Sequence, residues 1–124
     1  MDPSLNVLGA PIQPCSLNPK TGWYRDGCCN TDDSDVGSHT VCARVTTEFL
    51  EFLREKGNDL MTPAPQHRFP GLKDGDQWCV CAASWREAYE AGKACPVVLE
   101  STHQRALQRV ELNQLLELAI AAKA

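Results

Sequence analysis

The apolar and polar positions of the chain form two repeats of strand followed by helix, set in irregular sequence. Between residues 40 and 45, Val41, Ala43 and Val45 alternate with Thr40, Cys42 and Arg44, the period of two that predicts a strand. Thr46 follows as a helix cap. Phe49, Leu50, Phe52 and Leu53 then give a broad apolar helical face through about Lys56, and Gly57 supplies the stop. The pattern returns at residues 77–82, where Trp78, Val80 and Ala82 oppose Gln77, Cys79 and Cys81. Ser84 is the candidate cap of a second helix that carries Trp85, Ala88 and Tyr89 and ends at Gly92. Residues 96–100, with Val97, Val98 and Leu99, predict a third, buried strand, which completes a compact βαβ pattern.

The remaining segments are of different kinds. Pro63, Pro65, Pro70, Gly71 and Gly75 exclude a helix from residues 58–76, a connection long enough to line a pocket. Residues 1–38 are punctuated by Pro3, Pro11, Pro14, Pro19 and four glycines. Their apolar residues Leu5, Val7, Leu8, Ile12, Trp23 and Tyr24 predict an ordered arm packed on the domain. After Ser101 and Thr102, a short helix is expected with His103, Ala106, Leu107 and Val110 on one stripe. A last helix is expected over residues 112–122, where Leu115, Leu116, Leu118, Ala119 and Ile120 cover most of the circumference, the mark of a deeply packed helix or a homodimer contact. The fold class read from these patterns is α+β, a small sheet of three or more strands with packed helices in two βα units, an N-terminal wrapping arm, and one domain over residues 1–124.

The chain has 124 residues, 43% of them hydrophobic, enough for one core and too few for two. A net charge of −4 and the lack of a basic cluster with interleaved aromatics exclude a nucleic-acid surface. There is no run of 18 apolar residues, so no membrane partner is expected. The first 14 residues lack the basic start and apolar stretch of a secretory signal. The expected location is therefore cytoplasmic, where thiols stay reduced, and 7 cysteines, an odd count, argue against a fully paired disulfide framework.

Those cysteines are the candidate chemistry. Cys79 and Cys81, two apart on a strand, aim both sulfurs at one face, with Cα atoms roughly 6.5–7 Å apart, at the limit for bonding to each other. Cys28 and Cys29 are adjacent thiols on a loop. The echo between Val41-Cys42-Ala43 and Val80-Cys81-Ala82 predicts two βα units side by side, with Cys42 near Cys81 on one sheet face. A redox or nucleophilic site of Cys28, Cys29, Cys42, Cys79, Cys81 and His39 is the leading reading, because thiolates form beside positive charge and helix N-termini, and Arg25 and His39 are nearby cations. Simple packing of reduced cysteines is the plain alternative. Structural zinc is another, with Cys28, Cys29, Cys42, Cys79, Cys81 and His103 as candidate ligands. Otherwise no cofactor is expected. An interaction module dimerising through its last helix is the reading from a different class, and no small-molecule ligand is specified. Cys15, with Cys42, Cys28 and Cys29, can converge on the same sheet face but is assigned no role, His103 reads first as a core histidine, and the acidic turn at residues 30–37 reads as a solvated loop, since it lacks the glycine and terminal glutamate of a calcium loop.

The stretches Leu17-Asn18-Pro19-Lys20-Thr21-Gly22-Trp23-Tyr24-Arg25-Asp26-Gly27-Cys28-Cys29, His39-Thr40-Val41-Cys42-Ala43, Gly57-Asn58-Asp59-Leu60, Phe69-Pro70-Gly71-Leu72 and Trp78-Cys79-Val80-Cys81-Ala82 resemble an uncharacterised family, domain of unknown function 2237. The resemblance runs over nearly the whole chain. It implies a small single-domain protein with no established activity. Cys28, Cys29, Cys42, Cys79, Cys81 and the regions of His39 and His103 fall within the family pattern, whereas Cys95 falls outside it.

Overall fold

A computed structural model describes residues 4–67 and 69–120. Strand β1 (His39–Arg44) leads into helix α1 (Thr47–Glu55), and strand β2 (Gln77–Cys81) leads into helix α2 (Ala82–Glu90). The short strand β3 (Val97–Val98), helix α3 (Leu112–Glu117) and strand β4 (Ala119–Ile120) complete the fold. The strands form one mixed sheet in the order β2-β1-β3-β4, so the fold is α+β. The local signals hold at the first helix: Thr46 accepts a hydrogen bond from the Phe49 amide at 3.2 Å, which satisfies one of the first-turn donors.

The two βα units are neighbours, but β1 and β2 run antiparallel, with Cys42 opposite Cys79 and Ala43 opposite Trp78. The physical reason lies in residues 58–76. After α1 returns the chain, this connection carries it back to the end of β1, where Gly75 N–H donates to the Val45 carbonyl and Val45 N–H to that of Asp76. Since β3 is also antiparallel to β1, the βαβ pattern is split, with β1 inserted between its two strands.

Both faces of β1 and β2 are buried. Val41, Ala43, Val45, Trp78, Val80 and Ala82 belong to the main core with Phe49, Leu50 and Leu53 of α1 and Trp85 and Ala88 of α2. Cys42 and Cys79, on the opposite face, form a second cluster with Cys15, Cys29 and Val98. Residues 4–38 contain no helix. Val7 N–H donates to the Thr102 carbonyl, Gln13 N–H to that of Glu100, and the Ser101 hydroxyl to that of Pro14.

Four element readings are corrected. Helix α2 begins at Ala82, with Cys81 as its N-cap, not at Ser84. The third strand is only two residues long, because the Thr102 hydroxyl and amide bond the carbonyls of Val98 and Leu99 and turn the chain into a 3-10 segment, Leu99–Ser101. The stripe expected from His103 to Val110 is a second 3-10 segment, Gln104–Gln108, capped by the His103 ring, which accepts from Arg105 N–H at 3.0 Å. The last helix stops at Glu117, where the Leu118 carbonyl accepts from Val97 N–H and β4 closes the edge of the sheet beside β3. Within it only Leu115 is fully buried, Leu112 and Leu116 being exposed, and residues 121 and 122 of the expected helix lie outside the described residues. Among the described residues no helix is long and apolar enough to cross a membrane.

Candidate functional site

The period-two alternation of β2 places Cys79 and Cys81 on one side, yet the two thiols have different fates. Cys79 forms a disulfide with Cys29 (Cα–Cα 5.3 Å), and Cys42 forms one with Cys15 (Cα–Cα 5.7 Å). The expectation of one gathered set of free thiols is thus corrected for Cys29, Cys42 and Cys79, whose sulfurs are bonded. Two pairs leave three free cysteines, Cys28, Cys81 and Cys95, so the framework is not fully paired, as the odd count predicts, whereas the expectation that the thiols stay reduced is overturned at the two pairs. Cys15 reaches the face of Cys42, as the sequence reading allows, but its bond to Cys42 was not legible, because nothing in its local sequence fixes where the arm crosses β1. Gln77 secures that crossing, its buried amide donating to the Cys15 carbonyl at 2.6 Å.

The two disulfides bracket the loop of residues 16–28, pinning its start to β1 and its end to β2. The loop is closed on itself by Gly27 N–H to the Thr21 carbonyl, and the Thr21 hydroxyl accepts from Cys79 N–H at 2.8 Å. Gly22 is required at its turn. Its φ is +103° and an added Cβ would lie 2.2 Å from the Cys28 carbonyl oxygen. This loop brings Trp23 and Arg25 to a cavity of about 430 Å³, shared with His39, Asp59, Leu60, Phe69, Trp78 and Cys81 among others. The long connection of residues 58–76 therefore does line a pocket. Trp23 stacks on the His39 ring, centroids 5.8 Å apart.

Cys81 and His39 line the cavity, and the buried Asp35 meets the other nitrogen of the His39 ring. His39 Nε2 lies 3.3 Å from Cys81 Sγ, and His39 Nδ1 lies 2.6 Å from Asp35 Oδ1. A register shift between His39 and Val41 sets His39 opposite Cys81, the use of a bulge to re-aim a side chain. Ser38, at φ 51°, turns the chain just before it and accepts Ala82 N–H, so the His39 turn is tied to the first residue of α2. Gly37 leaves room for this approach: a Cβ there would lie 3.0 Å from Cys81 Sγ.

Asp35 is the residue the sequence reading missed. The side chain is fully buried, accepting from the His39 amide at 2.9 Å and the Thr31 hydroxyl at 2.8 Å, so this part of the acidic turn is not a solvated loop. Its one sequence signal was its place four residues before His39. The hydrogen bond to Cys81, and then that to Asp35, raises the His39 pKa to about 9 against the opposing effect of burial, so the ring is an imidazolium at neutral pH. Burial raises the pKa of Asp35, but the hydrogen bonds from His39 and Thr31 outweigh it and leave the carboxyl below its ordinary value.

The other free thiols lack this setting. Burial and then Asp26 push the Cys28 thiol up, and burial in the main core does the same to Cys95. His103 caps its 3-10 segment, and burial lowers its pKa. Of the zinc candidates, only Cys29 and Cys79 fall in the group whose ligand atoms lie within 4.8 Å of one another, together with Cys15.

Residues 5–119 match the family described as an uncharacterised protein conserved in bacteria (DUF2237). No curated protein matches the chain.

Proposed function

We propose that this chain, which belongs to the DUF2237 family of uncharacterised proteins conserved in bacteria, carries a nucleophilic thiol at Cys81 in a Cys-His-Asp arrangement. The observation that carries the reading is His39 bridging Asp35 and Cys81 with its two ring nitrogens. Asp35 orients the ring and sustains its positive charge, while His39 holds the thiol proton and returns it to a leaving group. Cys81, as N-cap of α2, also stands at the positive end of a helix whose first turn no side chain caps. Attack on an acyl carbon forms an S–C bond. The leaving group departs with the proton from His39, and water then hydrolyses the thioester and returns a proton to the site. The redox alternative for Cys81 has less support, because both disulfides are made by other cysteines.

The test is a p-nitrophenyl ester offered at a slight excess. A burst of p-nitrophenolate with one acyl group mapped to Cys81, lost in Cys81→Ser, is expected. An unchanged burst in that variant, or an acyl group on Cys28, contradicts the reading.

A second reading attaches to the four bonded cysteines, favoured by the proximity of the sulfurs of Cys15, Cys29 and Cys79. When both bonds are reduced by a dithiol, these three and Cys42 supply four thiolates for a tetrahedral zinc site. One zinc per chain in protein purified without chelator supports it, and zinc-free protein that keeps its structure under reduction opposes it.

A further inference from the structure

We infer that Arg25 selects what Cys81 attacks, and that the preferred compound carries an anionic group, a carboxylate in the simplest case, on an aromatic or apolar body. This rests on the nucleophilic reading of Cys81. Arg25 lines the same cavity and adopts φ 55°, a conformation side-chain-bearing residues seldom take and one that recurs where function holds a backbone under strain. Its backbone amide and its Nη1 both donate to the Gly22 carbonyl, at 3.0 and 2.8 Å, so the turn fixes both ends of the residue. The guanidinium carbon sits 5.1 Å from the centre of the Trp78 ring, which supports the cation on an apolar wall.

Among the described residues Arg25 makes no ion pair. The nearby acids are committed elsewhere. The Asp26 carboxylate accepts from Cys28 N–H and the Asn30 amide, and that of Asp59 from the Thr62 hydroxyl and the amides of Met61 and Thr62. A guanidinium has five donors in a planar fork suited to a carboxylate. With Trp23, Leu60, Phe69 and Trp78 as walls, the described residues of the cavity thus combine a cation that makes no ion pair among them with flat apolar surfaces and a thiol.

The test compares iodoacetate with iodoacetamide, which differ in charge. In both, the Cys81 sulfur forms a bond to carbon and iodide leaves. In Arg25→Met, the iodoacetate rate at Cys81 is expected to fall about tenfold while the iodoacetamide rate stays within about twofold, with Arg25→Lys between the two proteins. Unchanged rates with both reagents overturn the role of Arg25 and leave the Cys81 site standing. Equal falls with both reagents also overturn it, since they mark a residue that acts on the thiol or the fold and not on the charge of the reagent. Labelling of Cys28 or Cys95 ahead of Cys81 in the unaltered protein defeats the underlying reading itself.

Discussion

The Cys81 sulfur lies 3.3 Å from Nε2 of a histidine that enters from the neighbouring strand, and that histidine, His39, is held by a carboxylate out of contact with water. The order of control runs from Asp35 through His39 to Cys81. Asp35→Asn keeps the shape and removes the charge. The His39 pKa, read from ring nitrogen shifts by NMR, is expected to fall by about one unit or more. A titration that superposes on the unaltered protein shows that Asp35 does not act through His39.

Stability should follow the same pair. The folded pKa of His39, about 9, lies above its ordinary 6.5, so its contribution is complete below about pH 6.5 and is lost as pH rises through about 9. Asp35 has the opposite sign: its folded pKa lies below 3.8, and its contribution is present above that value and lost as pH falls below it. Urea midpoints measured from pH 3 to pH 10 are expected to decline at both ends, and His39→Gln should flatten the alkaline decline. The same alkaline slope in both proteins would place its origin elsewhere.

Two glycines separate a clash from backbone strain. Gly22→Ala drives a Cβ into the Cys28 carbonyl, whereas at Gly57, also at positive φ, an added Cβ meets nothing within 4 Å. Gly57→Ala is expected to cost roughly 1 kcal/mol. Gly22→Ala should cost clearly more and weaken Cys81 alkylation through the displaced Trp23. Equal losses in thermal melts would mean that the loop yields at no cost.

The disulfides should matter through the loop they bracket. Removing Cys29–Cys79 by paired alanine substitutions is expected to cost roughly 2–4 kcal/mol and to speed amide hydrogen exchange across residues 16–28. Exchange unchanged in that segment would show that the loop is held by its own hydrogen bonds.

Much of this was legible in the sequence where the physics is local. Alternation at residues 40–45 and 77–82 specified two strands, their faces and the shared side of Cys79 and Cys81, because the side-chain period of a strand is two. Thr46 and Gly57 marked helix ends for equally local reasons. What failed was non-local. The direction of β2 depends on where residues 58–76 deliver the chain, and the partner of each cysteine depends on the path of the arm. Asp35 resembled its acidic neighbours until the turn at Ser38 folded it beneath His39.

The most direct test of the central claim is site-resolved iodoacetamide alkylation of the native, unreduced protein at pH 6.5, followed by peptide mass mapping of Cys28, Cys81 and Cys95. A nucleophilic Cys81 reacts first and faster than a free cysteine, and His39→Gln slows it at least about tenfold. Cys81 reacting no faster than Cys28, with no change in the His39 variant, would contradict that claim.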